Sequence, residues 1–316
     1  MYLSPLSRLT AAGIMVAALA LGGCDGQSQS RASGSPAAAP VSSSDARAQA
    51  TGPAGDSRGP APIVVQGAMD IEVRTMIEAL GTPIEETHAG YTFWRGQLAG
   101  YPVIVAKTQK GMVNAAASTA LAIQLYHPAA IINQGTSGGH EASLNSRDIV
   151  LGTRTVNIGA FKTGTREKGR GSDFSEWNPM DLLRSDGSAG QDPNAWVART
   201  FAGDPMLIEA AKRVRSAYPS GRIVEGVIGS SDMWNSELDR IAWLHDKFGT
   251  SVEEMEAAAA AQVASLSHVP FLGIRVLSNN ITNGAPYVRE TAVECQQYVL
   301  QVVQAYAQQG QAGSSH

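Results

Sequence analysis

Cysteine is scarce. Only two occur in 316 residues, which excludes a disulfide framework and a CxxC-type zinc site. The six histidines show no HExxH or comparable ligand spacing, so no metal and no organic cofactor is implied. Positive charge is short as well. With 24 Lys+Arg against 28 Asp+Glu the net charge is −4, and a pI of about 5.9 gives no electrostatic footing for a nucleic acid polymer. Charged residues make up only 16%, but a hydrophobic content of 43% suffices to bury a core and excludes global disorder. Length alone allows one or two domains.

What is present is unevenly distributed. Residues 1–24 read MYLSPLSRLTAAGIMVAALALGGC, with Arg8 ahead of a weakly polar-to-apolar run that ends at Gly23. The run falls short of the roughly 20 apolar residues of a spanning helix and has the layout of a secretory signal. Its end, Leu21-Gly22-Gly23-Cys24, resembles the lipobox of bacterial lipoproteins, in which the cysteine becomes the lipidated N-terminus. That resemblance implies a lipid-anchored, extracytoplasmic protein of the bacterial cell envelope, on the periplasmic side of the inner membrane or at the outer membrane. Residues 25–61 are Ser, Ala, Gly, Gln and Pro with a few charges, and Val41 is their only large aliphatic residue. Such a stretch cannot offset its ordering entropy by burial and is expected to be a flexible tether. With Cys24 lipidated, Cys295 is the only free thiol, and its helical surroundings mark it as a small buried residue.

From residue 62 to 308 the pattern is that of one α/β domain, followed by a flexible tail, 309–316. Strands are expected at Ile63–Val65, Tyr91–Arg95, Val103–Lys107, Ala130–Asn133, Ile149–Val156, Ile223–Ile228, Ser251–Met255 and Phe271–Leu277. The second and third of these, joined by a turn at Gly100, read as an antiparallel pair. Helical spacing covers Met69–Leu80, Val113–Tyr126, Pro205–Tyr218, Glu256–Ser267 and Val288–Ala307. The alternation predicts a three-layer α/β/α domain around a central, mixed, twisted sheet. Active sites of such sheets gather at the carboxyl ends of strands. Residues 157–204 are polar and Gly/Pro/Asp-rich, and long for a connection. They read as a lid, a mobile insertion or a solvated loop, with Trp177 and Trp196 as residues by which parts of it dock.

Four strand ends present polar or acidic residues: Gly67-Ala-Met-Asp-Ile-Glu72, Gly135-Thr-Ser-Gly-Gly139, Glu253-Glu-Met-Glu256 and Arg275-Val-Leu-Ser-Asn-Asn280. Alone, each has an ordinary structural reading; Glu72, for instance, sits where an acid complements the helix dipole. Gly135–Gly139 also satisfies the G-x-S-x-G expression of a serine-hydrolase elbow. That motif needs a helix directly after it, and His140–Asp148 reads as a loop.

Taken in order and spacing, these segments resemble the purine nucleoside phosphorylase/uridine phosphorylase superfamily, and within it the methylthioadenosine/S-adenosylhomocysteine nucleosidases. The resemblance spans residues 62–308. GAMDIEV matches the family's opening turn, which implies that Glu72 orients the attacking water and that Met69 lines the site. NQGTSGGH matches a Gly-rich loop near the ribose, with Thr136, Ser137 and Gly138. GSSDMWN matches the purine pocket, with Trp234 packing on the base beside Asn235. SVEEMEA places Glu254, Met255 and Glu256 at the sugar, where Glu256 would hold the 2′- and 3′-hydroxyls. The implied activity is hydrolysis of the N-glycosidic bond of a purine ribonucleoside, and the implied assembly is a homodimer.

The chemistry agrees. Cleavage builds oxocarbenium character on the ribose, which one carboxylate can serve by orienting a nucleophile and another by gripping the sugar hydroxyls. Two positions depart from the nucleosidase pattern. Lys110 stands where an aliphatic residue is usual. Asn279 replaces the aspartate of Arg-x-x-Ser-Asp, and an amide hydrogen-bonds the purine but cannot act as a general acid. Asn279 resembles instead the 6-oxopurine-preferring trimeric phosphorylases. The opening turn carries no arginine for phosphate, and an acidic Glu72 would repel an anion, so water is the expected nucleophile. A phosphate-dependent phosphorylase and a tethered nucleoside-binding protein with little turnover are the alternatives.

Overall fold

Short continuous apolar runs, Ile63–Val65, Val103–Ala106 and Ala130–Ile132, supply a sheet with two buried faces. The computed structural model describes residues 59–180, 182–183 and 199–313, all within one unit, Asp56–His316. The expected signal segment 1–24 with Cys24, nearly all of the tether, and Trp196 lie outside the described residues. In chain order the elements are β1 (Ile63–Gly67), α1 (Asp70–Ala79), β2 (Ile84–His88), β3 (Tyr91–Leu98), β4 (Tyr101–Lys107), α2 (Met112–Tyr126), β5 (Ala130–Gly139) and β6 (Ile149–Asn157). There follow β7 (Phe161–Lys162), β8 (Asn178–Pro179), β9 (Thr200–Ala202), α3 (Pro205–Arg213), β10 (Ile223–Ser230), α4 (Leu238–Phe248), β11 (Val252–Glu254), α5 (Ala257–Leu266), β12 (Phe271–Asn279) and α6 (Thr291–Gly313). No helix among the described residues is long and apolar enough to cross a membrane.

The sheet order is β11-β10-β6-β12-β5-β1-β4-β3-β2, with β9 added on β6. β1 lies parallel to β4 and β5, and β5 parallel to β12. β12–β6, β3–β4 and β2–β3 are antiparallel, so the sheet is mixed as expected. β11 pairs with β10 in parallel and with β5 in antiparallel, which closes β5, β12, β6, β10 and β11 into a ring.

Neighbouring strand residues point to opposite faces, and both faces are apolar. Ile63, Val65, Val103, Val105 and Ile132 face a layer of α1, α3 and α6, where they meet Met76, Leu207 and Val299. Val64, Ile104, Ala106 and Ile131 face α2 and α5 through Ala122, Ile123, Ala260 and Ala264. Small residues on α2 and α5 let these two helices lie close. Each fully buried Val or Ile contributes about 1.5–3 kcal/mol.

Several elements differ from the sequence reading. The Gly-rich segment is strand rather than loop: β5 continues through Gly139 because β12 pairs along one edge and β11 takes up Gly138 and Gly139 on the other. Helix α4 was not expected, although Ile241, Leu244 and Phe248 form its buried face. α6 begins at Thr291 and runs to Gly313, into the expected tail. The described parts of 157–204 dock as Trp177 suggests: its ring meets Phe161 at 5.9 Å, and Phe161, Phe174, Trp177 and Trp243 surround the Arg240 guanidinium at 5.1–5.7 Å.

Candidate active site

β1, β5 and β12 run in parallel and deliver Gly67, Gly139 and Asn279 to one edge of the sheet, where α1 and α5 begin. A cleft opens there, the usual place for a small-molecule site in such a sheet. Its walls include every sequence-predicted substrate or catalytic residue: Met69, Glu72, Thr136, Ser137, Gly138, Trp234, Asn235, Glu254, Met255, Glu256 and Asn279.

Glu72 stands at the third position of α1 and is 3% exposed. Its Oε2 accepts from the Ala68 and Met69 N–H groups at 3.1 and 3.3 Å, the reach-back half of a capping box. Its Oε1 accepts from Thr136 N and Thr136 Oγ1, both at 2.9 Å. The dipole-complementing role and the cleft-lining role therefore coincide in one carboxylate. Gly135 makes room for it, since a Cβ there would lie 2.8 Å from Glu72 Oε1. The Thr136 hydroxyl is thus committed to Glu72. Ser137 Oγ donates to the Val276 carbonyl at 3.1 Å, and its strand runs straight on, so there is no nucleophile elbow.

Glu256 caps the start of α5. Its Oε1 accepts from the Gly111 N–H at 2.8 Å, and Gly111 aims that group from φ 98°, a conformation open to glycine. Burial pushes the Glu256 carboxyl up to about 8, helped by the nearby Glu254 charge and opposed by Arg275.

Glu254 departs from its expected substrate role. Its carboxylate receives Arg275 Nε at 3.1 Å and the Glu256 and Ala257 N–H groups at 3.0 and 2.9 Å, and it also bonds Ser230 Oγ and Arg275 Nη2. Arg275, 1% exposed, also donates to the Asn133 carbonyl at 2.8 Å. This buried pair consumes Glu254 and fixes the chain at Met255 and Glu256. Arg275 is equally committed, which leaves Lys110 as the only cationic side chain in the described wall of the cleft.

At the other end Asn279 lines the cleft, with its Oδ1 3.0 Å from Ser278 Oγ. Trp234 lines the cleft and is 77% exposed. The loop that carries it is tied on both sides. Asp232 Oδ1 accepts from Met112 N at 2.7 Å, and Asn235 bonds Glu253 through its backbone N–H and side chain. Sequence reasoning passed over Glu253, Ser278 and Met233. Glu253 lies next to Glu254 at the end of β11, in the same acidic segment that the sequence offers for the sugar. Among the described residues no group of three or more His, Cys, Asp or Glu is placed to hold a metal ion.

Residues 62–308 match the family model of the phosphorylase superfamily. A 5′-methylthioadenosine/S-adenosylhomocysteine nucleosidase of Bacillus thuringiensis (strain Al Hakam) is 35% identical over 218 residues, covering 69% of this chain and 85% of its own length. The structure of a nucleosidase of the same name from Neisseria meningitidis, in complex with methylthio-immucillin-A, superposes with a TM-score of 0.63 at 27% identity, over 77% of this chain and 99% of that one. That of Colwellia psychrerythraea, in complex with adenine, gives 0.63 at 28% identity, over 78% and 96%.

Proposed function

This chain belongs to the phosphorylase superfamily, and from that premise we propose that it hydrolyses the N-glycosidic bond of a purine ribonucleoside, releasing free base and a ribose product. The observation that carries the reading is the pairing of two buried carboxylates, Glu72 and Glu256, at the starts of two helices that open on one cleft. The relatives named as nucleosidases support the same reaction. Glu72 Oε2 exchanges the longer of its two hydrogen bonds, from Met69 N at 3.3 Å, for one from a water, aims the water's lone pair at C1′ and takes the water's proton as the bond from C1′ to the base breaks. The rigid hold of Thr136 on Oε1 keeps that aim through the reaction, as preorganised catalysis requires. Glu256 accepts from the ribose hydroxyls, whose hydrogen bonds strengthen as positive charge grows on the sugar. Asn279 donates to the base as it departs with the bonding electron pair and stabilises its charge, and the base takes its proton from solvent. Water rather than phosphate fits a cleft beside which Arg275 is sealed against Glu254 and whose lining sets Lys110 among Glu72, Glu253, Glu254 and Glu256.

The test is base release from a panel of purine nucleosides with and without phosphate. Release without phosphate supports hydrolysis, and strict phosphate dependence favours the phosphorylase alternative, for which Lys110 is the candidate anion contact. Binding by calorimetry with no release over hours would leave a nucleoside-binding protein. The same reading includes a lipid anchor at Cys24 and an extracytoplasmic site of action, supported by the Leu21-Gly22-Gly23-Cys24 pattern. Cys24→Ala is expected to move the protein from the membrane to the soluble fraction. The homodimer implied by the family is part of the proposal, and light scattering of the chain without residues 1–24 tests it.

A further inference from the structure

Two neighbouring side chains have no part in the chemistry above. Glu253, on β11, is a buried carboxylate in the wall of the cleft. His140, the residue that follows β5, has a fully buried side chain and stands behind the described lining. The register brings the two together. Val252 pairs with Gly139 and Glu253 with Gly138, and the His140 N–H donates to the Ser251 carbonyl at 3.0 Å. His140 Nε2 lies 3.2 Å from Glu253 Oε2 and has no other partner among the described residues. Its Nδ1 lies 2.7 Å from the buried Thr250 Oγ1, a hydroxyl that can accept from a protonated nitrogen or donate to a bare one. A bare Nε2 would set its lone pair against the carboxylate, so Nε2 carries the proton whether the ring is neutral or charged.

Glu253 in turn holds the loop between β10 and α4. Asn235 donates to one of its oxygens through the backbone N–H, at 3.1 Å, and to the other through Nδ2. Both oxygens must accept for this grip to form, which a carboxylate does and an amide cannot. The loop's other tie runs from Asp232 to Met112 N, so Trp234 is carried between two anchors. A buried carboxylate is costly unless donors and charge surround it, and His140 completes that surround from the side away from the cleft. Resting on the purine-nucleoside reading above, we propose that His140 is a positioning residue that, through Glu253 and Asn235, latches the Trp234 loop at the cleft so that the indole covers the purine base. Held in this way, the loop is ordered before the base arrives, and binding does not have to order it. His140 thus serves the grip on the base and leaves bond cleavage to Glu72 and Glu256.

The test replaces His140 in two ways. His140→Leu removes the donor, and the KM for the nucleoside and the Kd for its free base, read by calorimetry, are expected to rise on the order of tenfold, the worth of one ring stacked on a base. Since the lost contact acts on binding, kcat should stay within about threefold of the parent. His140→Gln offers Glu253 an N–H again and should recover most of the loss. A residue that only stabilised the fold would lower the amount of active protein, and with it the apparent kcat, while KM stayed unmoved. The latch is also read without substrate. Chymotrypsin cleavage after Trp234, followed by mass spectrometry of the fragments, should be faster in His140→Leu and in Asn235→Ala than in the parent. Should His140→Leu fail to fold, Asn235→Ala, at a half-buried position, carries the cleavage comparison. A KM within about twofold of the parent in His140→Leu, a loss that His140→Gln shares in full, or equal cleavage in every variant would overturn the proposal. If no purine nucleoside or base binds while the variants still loosen the loop, the purine reading fails and the latch stands.

Discussion

Gly135→Ala adds one methyl group beside the carboxylate that the mechanism relies on. The new Cβ would stand 2.8 Å from Glu72 Oε1 and 3.1 Å from Cδ, where ordinary contact begins at 3.4 Å. Glu72 is held from the far side by Ala68 and Met69, so it must give way by about 0.6 Å, an overpacking strain of roughly 1–3 kcal/mol. That retreat takes the two Thr136 bonds from 2.9 Å to about 3.5 Å, beyond useful hydrogen-bond length. Glu72 stays in the site, but its aim is lost. Displacements approaching 1 Å cost on the order of 10²-fold in rate, so we expect kcat to fall about 30- to 100-fold with KM within about threefold. The assay is base release followed in parallel with thermal unfolding, where Tm should fall by several degrees. Activity within about twofold of the parent in a protein of unchanged Tm would refute the reasoning, because the methyl could then enter only if Glu72 were elsewhere or idle.

Three further outcomes follow from the same contacts. Because the Glu256 carboxyl is pushed up to about 8 and must be ionised to accept from the ribose diol, nucleoside affinity should rise with pH and level off above about 8. The slope approaches tenfold per pH unit at most; Glu256→Gln should flatten the profile, and a flat profile in the parent would contradict the role. Arg275→Met leaves Glu254 as an unpaired buried charge, a loss of about 3–5 kcal/mol that denaturant unfolding would register as a large drop in midpoint. Cys295 is fully buried, 3.9 Å from the Gly135 carbonyl, and burial pushes its thiol up to about 12. It should react with a thiol reagent only after unfolding, and rapid labelling of the native protein would contradict that placement.

Much of the fold is legible in local sequence because burial on both faces writes continuous apolar runs into β1, β4 and β5, and small apolar residues at helical spacing mark α2 and α5. Where the pattern is polar, the reading stops. β2, IEETH, is an edge strand with little buried apolar surface, so nothing in its residues distinguishes it from loop. α4 hides behind Arg240, a charged residue buried only because aromatic rings from a distant segment surround it. The glycines of 135–139 suggest a turn locally, and only tertiary pairing with β11 and β12 extends the strand through them. The site divides in the same way. Glu72, Glu256 and Asn279 are legible because their roles depend on short motifs. Which glutamate of Glu253-Glu254 faces the cleft depends on Arg275, 21 positions beyond Glu254, and on the register of β11 against Gly138, which the sequence does not display.

The central claim is that a water held by Glu72 attacks the sugar carbon. The most direct measurement is the identity of the sugar product, read by phosphorus NMR and a reducing-sugar assay, when the mature chain turns over the purine nucleoside of the panel that it cleaves fastest, in phosphate buffer. The account predicts free ribose, no ribose 1-phosphate, a rate indifferent to phosphate, and loss of turnover in Glu72→Gln. Ribose 1-phosphate as the product, or full activity in Glu72→Gln, would contradict it.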